Sequence, residues 1–113
     1  RILKVDDDPV MDLRTYKDID KEYPASGCYD HCYILDHLSG EADVYLKSES
    51  RGITMTVSTN EPSVQIYSGN NVGIAIEPQM YPCAPNFPEF PSTLLKAGDK
   101  RTWHSEYKIF VDF

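Results

Sequence analysis

A dense run of prolines between residues 78 and 91 constrains this chain most, because five of its eight prolines lie there. The proline ring fixes φ and removes the backbone N–H, so neither a helix nor an interior strand continues through such a segment. Each ring also restricts the residue before it to extended geometry. We therefore expect a long irregular loop after residue 78, held in a small set of conformations by its own prolines.

A short apolar strand is predicted immediately before this loop, at residues 73–77. Its side chains alternate, with Ile74 and Ile76 on one face and Glu77 on the other. We expect Pro78 to end the sheet pairing, so that Glu77 lies at a strand end where the chain turns outward. Two interpretations follow: a catalytic carboxylate on a rigid support, or an incidental glutamate on a proline-rich surface connector. The pattern alone favours the connector.

The rest of the chain also shows strand and turn patterns, without a convincing helical period. Ile53, Met55 and Val57, for example, alternate with hydroxyl side chains and are predicted to face the core. The predicted strands cover residues 2–5, 29–35, 42–46, 52–59, 64–68, 73–77 and 103–113. The predicted fold class is therefore all-β, as a sandwich of antiparallel sheets.

The charge and apolar content of the chain indicate which kinds of molecule it can bind. A formal charge of −7 argues against nucleic acid and anionic membrane surfaces, because both are bound through clustered Lys and Arg. No apolar run approaches the ~20 residues of a membrane-spanning helix. With 41% hydrophobic residues, the chain is predicted to be one soluble globular unit whose easier partner is a neutral ligand.

The chain has three cysteines, Cys28, Cys32 and Cys83. An odd number fits a reducing compartment better than a disulfide framework, which favours a cytoplasmic location. Cys28 and Cys32 lie near His31, but this spacing lacks the second ligand pair of a zinc site, and in a strand His31 faces away from both. We therefore expect packed free thiols and no metal site.

Four blocks of sequence follow one another along the chain. They are Pro-Val-Met-Asp-Leu-Arg-Thr at 9–15, Gly-Cys-Tyr-Asp-His-Cys-Tyr-Ile-Leu at 27–35, Ser-Val-Gln-Ile-Tyr-Ser-Gly-Asn at 63–70, and a run from Glu-Pro-Gln at 77 through Phe-Pro-Ser-Thr-Leu-Leu to Gly-Asp at 98–99. Together they resemble the aldose 1-epimerases, the galactose mutarotase family. That family has Gly-Tyr-Asp-His-Asn-Phe-Val-Leu and Pro-x-Val-Gln-Phe-Tyr-Thr-Gly-Asn at the second and third blocks.

The resemblance implies a fold and an activity. Residues 1–113 would be the C-terminal portion of one galactose mutarotase-like antiparallel β-sandwich, incomplete at its N-terminus. Family members have a longer stretch where this chain has residues 70–73, so either an exposed hairpin is shortened there or residues of the domain are absent from this sequence. The whole domain would interconvert the α and β anomers of a hexose such as galactose or glucose, by acid–base catalysis and without a cofactor.

The resemblance also implies roles for three residues. Glu77 matches the family's catalytic base, and Asp30 and Gln65 match residues that bind the sugar. The family's general acid is a histidine upstream of the matched region. The isolated chain is therefore expected to be inactive, with two partners: the hexose, and the missing N-terminal part of the domain in the same or a separate chain.

Two alternatives stay open at this point. The chain could come from a fusion in which a mutarotase domain follows an epimerase domain. It could also belong to a non-catalytic carbohydrate-binding module with a mutarotase-like fold. The presence of Glu77 together with Asp30 and Gln65 favours an enzyme, because a pure binding module has no need of a base.

Overall fold

Six strands form the framework in the computed structural model, which describes residues 1–70 and 72–112. They are β1 (Asp30–Ile34), β2 (Val44–Ser48), β3 (Ile53–Thr59), β4 (Ser63–Tyr67), β5 (Ala75–Gln79) and β6 (Ser105–Val111). Three 3₁₀ turns, at Val5–Asp7, Glu49–Arg51 and Ala84–Asn86, are the helical elements of the described residues. Sheet I has the strand order β1–β4–β5 and sheet II the order β2–β3–β6, both antiparallel. The predicted all-β class is confirmed.

The core lies where the two sheets meet. Val64 and Ile66 of β4, with Tyr29 just before β1, form its buried centre. Ile76 of β5 packs against this cluster from within sheet I, and Val44 of β2 packs against it from sheet II. The side chains of β4 therefore alternate as predicted, with the apolar residues directed into the core.

The apolar face of sheet II extends beyond this core. Val57 in the middle of β3 is fully buried, and it pairs with Val44 of β2. Further along the sheet, Ile53 pairs with Val111, and their exposed fractions are 39% and 49%. Ile109 on β6 is 66% exposed. The prediction that Ile53 faces the core is therefore wrong for the described residues, because sheet II continues past the region that sheet I covers.

The size of the exposed surface agrees with this picture. The accessible surface is 8545 Å², whereas a compact monomer of 12.9 kDa would expose about 6,300 Å². The Cα radius of gyration is 15.6 Å, against about 13 Å for a compact domain of this length. The chain thus leaves uncovered a large amount of surface that a self-contained domain of the same mass would bury.

Sheet pairing continues through Pro78, which corrects the prediction that it stops there. Pro78 lies opposite Val64, and Gln79 lies opposite Ser63. In the described part of sheet I, β5 is an edge strand. An edge strand tolerates proline because the N–H groups on its outer side do not have to bond to a neighbouring strand. Glu77 is therefore the central residue of β5 and not its last.

The predicted strand at residues 2–5 is wrong for the described residues. The chain forms a 3₁₀ turn at Val5–Asp7 instead, in which the Asp7 N–H donates to the Lys4 carbonyl at 3.2 Å. Asp6 and Asp7 lie in the first turn, where carboxylates interact favourably with the unpaired N–H groups of a helix start. A short, mainly apolar segment does not make a strand unless another strand pairs with it.

Arg14 binds two carboxylates close to this turn. Its Nη2 lies 2.7 Å from Asp12 Oδ2 and 2.7 Å from Asp6 Oδ1, and its Nε donates to Asp12 Oδ1 at 2.8 Å. The side-chain hydrogen bonds from Arg14 lower the pKa of Asp12 from 3.8 to about 2. All three groups are partly or fully exposed to solvent.

We expect the Asp12 carboxyl to titrate near pH 2 in ¹³C NMR spectra, and Arg14→Gln to return its midpoint toward 3.8. Because the pKa is lowered in the folded state, the Asp12–Arg14 pair stabilises that state above the unfolded pKa and loses its effect as the pH falls through the folded value. Arg51→Gln, at another exposed arginine, is the matched control. An Asp12 midpoint that Arg14→Gln leaves unmoved would contradict this assignment.

Candidate functional site

The three predicted site residues share one face of sheet I. Gln65 of β4 pairs directly with Glu77 of β5. Asp30 of β1 pairs with Tyr67, two residues from Gln65 along β4, so its side chain points to the same side of the sheet. Directly opposed side chains on antiparallel strands have Cβ atoms about 5 Å apart. Register thus brings together residues that are up to 47 positions apart in the sequence.

A hydrogen bond fixes the orientation of Gln65. Its Nε2 donates to Asp30 Oδ1 at 2.8 Å, and a hydrogen bond to a carboxylate is stronger than one between neutral groups. The amide nitrogen therefore points toward β1. This leaves Gln65 Oε1, the second amide hydrogen and the second Asp30 oxygen as groups that can bind a ligand. Asp30 is exposed and Gln65 is half-buried, so a ligand has access to both.

Cys32 and Gln79 also lie on this face, which we call the site face. Cys32 pairs with Gln65, so Cys32, Gln65 and Glu77 form one row across the three strands. Gln79 Nε2 lies 3.8 Å from Cys32 Sγ. The sequence held a signal for Cys32, since a residue two positions after Asp30 in one strand must face the same way. Cys32 was predicted only to be a packed thiol, and its thiol is free and half-buried.

The three histidines lie away from the site face in the described structure. His31 is on β1 but on the face opposite Asp30, where its Nδ1 accepts the Asp30 N–H at 3.0 Å. His37 Nδ1 lies 2.9 Å from Asp43 Oδ1 in the loop before β2. His104 immediately precedes β6 of sheet II. Within the described residues, the site face therefore carries two carboxylates and two amides but no imidazole.

The site face is an open surface. Glu77 and Asp30 are both exposed. A concavity of about 510 Å³ lies elsewhere, in the proline-rich loop, where Phe87, Phe90 and Leu95 are among its lining residues.

The described residues hold no group of three His, Cys, Asp or Glu side chains placed to bind a metal ion. They also include no helix of the length and apolar character needed to cross a membrane.

The proline-rich loop has an aromatic centre. The ring centroids of Tyr81 and Phe90 are 5.1 Å apart in an edge-to-face arrangement, and those of Phe87 and Phe90 are 4.9 Å apart. Such pairs add stabilisation beyond the area they bury. Together with the 3₁₀ turn at Ala84–Asn86, they give the loop directly after β5 a defined shape, as its prolines predict.

Fold and site together define an all-β protein with an acidic, amide-bearing surface on one sheet. Comparison with known proteins makes this class specific. The family model described as Aldose 1-epimerase matches residues 1–108. The chain therefore belongs to the aldose 1-epimerase family.

Curated relatives agree with the family model. The chain is 28% identical over 121 residues to the aldose 1-epimerase of Haemophilus influenzae, covering 88% of this chain and 36% of that protein. It is 26% identical over 127 residues to the aldose 1-epimerase of Escherichia coli, covering 90% of this chain and 37% of that protein. The chain thus spans about a third of the length of these relatives. No solved structure matches it significantly.

The matched region is longer in the relatives. The Haemophilus influenzae alignment extends over 121 residues but covers 88% of this chain, which is about 99 of its 113 residues. About 22 positions of the alignment therefore have no counterpart here.

Proposed function

We propose that the complete protein, meaning this chain together with the remainder of its domain, interconverts the α and β anomers of a hexose such as galactose or glucose. The observation that supports this most is the direct pairing of Gln65 with Glu77 on the face that also carries Asp30. Membership of the aldose 1-epimerase family supports a sugar as the substrate. The proposed reaction breaks and re-forms one C–O bond through proton transfers, with no oxidation or reduction, so acid–base side chains suffice and no cofactor is required.

Glu77 is the proposed base. It removes the proton of the anomeric hydroxyl as the bond between C1 and the ring oxygen breaks, while an acid delivers a proton to the ring oxygen. The open-chain aldehyde then rotates about its C1–C2 bond. The ring closes on the other face with both transfers reversed, so Glu77 returns its proton to the carbonyl oxygen and the acid recovers its own. An exposed position within β5 gives the Glu77 carboxylate access to a bound sugar.

Asp30 and Gln65 are the proposed sugar-binding residues. One Asp30 oxygen is occupied by the Gln65 amide, and the other can accept a hydrogen bond from a ring hydroxyl. Gln65 retains an acceptor oxygen and a second N–H donor, which together match a hydroxyl group that both donates and accepts. Binding from two neighbouring strands would hold the anomeric centre beside Glu77, which lies opposite Gln65.

The acid and the remaining walls of the pocket come, in this proposal, from the rest of the domain, whether in the same chain or a separate one. The exposure of Ile53, Ile109 and Val111 supports this, because an apolar row of this kind is a surface for further strands to cover. This chain is then the C-terminal portion of one β-sandwich. Residues 70–73, of which Asn71 lies outside the described residues, are the proposed place either of a shortened hairpin or of residues absent from this sequence.

Polarimetry tests the proposed function. With freshly dissolved α-galactose or α-glucose, we expect the complete protein to bring the optical rotation to equilibrium faster than the spontaneous reaction. This chain alone should not, because it supplies a base without an acid. Heat-denatured protein in the same buffer is the control. Activity of the chain alone would contradict the separation of base and acid, and inactivity of the complete protein toward all hexoses tested would contradict the proposal.

A further inference from the structure

Strand β5 depends on few neighbours for its position. In the described part of sheet I it pairs with β4 alone, so hydrogen bonds within the sheet fix one of its edges. Glu77 lies at the middle of this strand. A group that acts on a reacting atom must be placed to within a fraction of an ångström, and errors of about 1 Å can cost a factor of about 10² in rate. Contacts from outside the sheet therefore matter for β5.

One such contact joins the two sheets. Tyr107 lies on β6 of sheet II, and its hydroxyl donates to the Ile76 carbonyl of β5 at 3.2 Å. That carbonyl belongs to the peptide group that joins Ile76 to Glu77. Because a peptide group is planar, a hydrogen bond to this carbonyl also restrains the nitrogen and Cα of Glu77. The Tyr107 hydroxyl thus acts on the backbone directly before the carboxylate.

A second contact holds the end of β5. Arg101, shortly before β6, contacts Met80 Sδ through its Nη2, and Met80 directly follows β5. The same nitrogen lies 3.6 Å from Glu61 Oε2, at the approach to β4. The Glu61 side chain is 8% exposed, so its charge requires a partner in the folded protein. The Arg101 guanidinium also stacks on Trp103, with 4.9 Å from Cζ to the ring centroid.

We infer that residues 101–107 form a brace that positions β5, and that Tyr107 and Arg101 are positioning residues for Glu77. The inference rests on the proposed function, because it takes Glu77 as the base. It predicts a particular kinetic pattern. Asp30 and Gln65 lie on β1 and β4, which the Tyr107 hydroxyl does not contact. Loosening β5 therefore lowers kcat, which depends on the base, and changes KM little.

Tyr107→Phe in the complete protein tests the brace, because it removes one hydroxyl and keeps the ring. We expect kcat for mutarotation to fall about tenfold with KM within about twofold. Tyr45→Phe is the matched control. Tyr45 also lies on sheet II and is similarly exposed, at 46% against 48% for Tyr107, but its hydroxyl accepts a local hydrogen bond from the Ala42 N–H. This control should leave kcat unchanged.

Hydrogen exchange provides a readout that does not depend on activity. In Tyr107→Phe, mass spectrometry should show faster exchange of the backbone amides at 75–80 than in wild type or Tyr45→Phe, since β5 would open more often. Unchanged kcat and unchanged exchange in Tyr107→Phe would overturn the brace. So would equal losses in Tyr107→Phe and Tyr45→Phe, because those would reflect a general effect on sheet II. If Glu77→Gln abolishes turnover while Tyr107→Phe leaves both kcat and exchange at their wild-type values, only the brace fails and the proposed function stands.

Discussion

Glu77→Gln in the complete protein should lower kcat for mutarotation by about 10²- to 10⁴-fold, the usual contribution of a general base. Glutamine has nearly the same shape as glutamate and would keep its place opposite Gln65 in the β4–β5 pair. An amide does not accept a proton at neutral pH, so proton removal from the anomeric hydroxyl is lost. Sugar binding, which we assign to Asp30 and Gln65, should change little. We therefore expect KM, or the dissociation constant measured by calorimetry, to stay within a few-fold of wild type.

Glu49→Gln is the control for this experiment. Glu49 is an exposed glutamate that lies 3.6 Å from Lys47, in the turn between the strands of sheet II, and its loss should leave kcat unchanged. A Glu77→Gln protein with wild-type turnover would show that another group is the base. A wild-type protein that binds sugar but shows no turnover would support the carbohydrate-binding alternative, which needs no base at position 77.

The shared face of the site residues could be predicted from the sequence, but their contacts could not. Alternation within each strand separates Gln65 from Val64 and Ile66, and Glu77 from Ile74 and Ile76. Which residue of β5 lies opposite Gln65 depends on the register between two strands, and register is set by the turn and the core together. The Gln65–Asp30 hydrogen bond depends in the same way on the pairing of β1 with β4.

Two local signals, Pro78 and the apolar segment at residues 2–5, predict strand limits that the structure does not have. Pro78 was expected to stop the pairing of β5, but proline blocks pairing only on the side where its missing N–H is needed, and β5 has β4 on one side only in the described structure. The mainly apolar residues at 2–5 predict a strand, but no strand pairs with them among the described residues. Strand formation depends on a neighbour that a local pattern does not reveal.

The exposed row on sheet II shows a similar limit. Alternation identifies Ile53, Met55 and Val57 as one face of β3, and Val57 is indeed fully buried. Ile53 on the same face is 39% exposed, because burial depends on what covers a face and not on which face a residue occupies. A sequence pattern therefore predicts which face of a strand is apolar. It does not predict which other element packs against that face, because this depends on the three-dimensional structure.

Tyr29→Ala should be the most destabilising single change in this chain. Tyr29 is fully buried in the core, with a relative exposure of 0%. Its hydroxyl lies 2.6 Å from the Val10 carbonyl and 3.1 Å from the Glu22 carbonyl. Burial raises the pKa of this hydroxyl, so it stays a donor at neutral pH. The residue thus joins the N-terminal loops to the centre of sheet I.

Truncating a buried aromatic side chain to alanine costs about 3–5 kcal/mol, a large share of the 5–15 kcal/mol that is typical of a folded domain. In urea unfolding of the complete protein, we therefore expect Tyr29→Ala to lower the midpoint strongly. Tyr29→Phe keeps the ring and removes the hydroxyl, so it should cost about 1–2 kcal/mol. Comparing Tyr29→Phe with Tyr29→Ala thus separates the contribution of the hydroxyl hydrogen bonds to stability from that of the packed ring.

Tyr16→Ala is the control for the core, because Tyr16 is 65% exposed and a surface truncation should change stability by no more than about 0.5 kcal/mol. If Tyr29→Ala and Tyr16→Ala unfold at the same urea concentration, Tyr29 does not hold the core together. If Tyr29→Phe costs as much as Tyr29→Ala, the two carbonyl contacts dominate over packing. We expect neither, because the ring fills the centre of the cluster formed with Val64 and Ile66, and its removal would leave a cavity there.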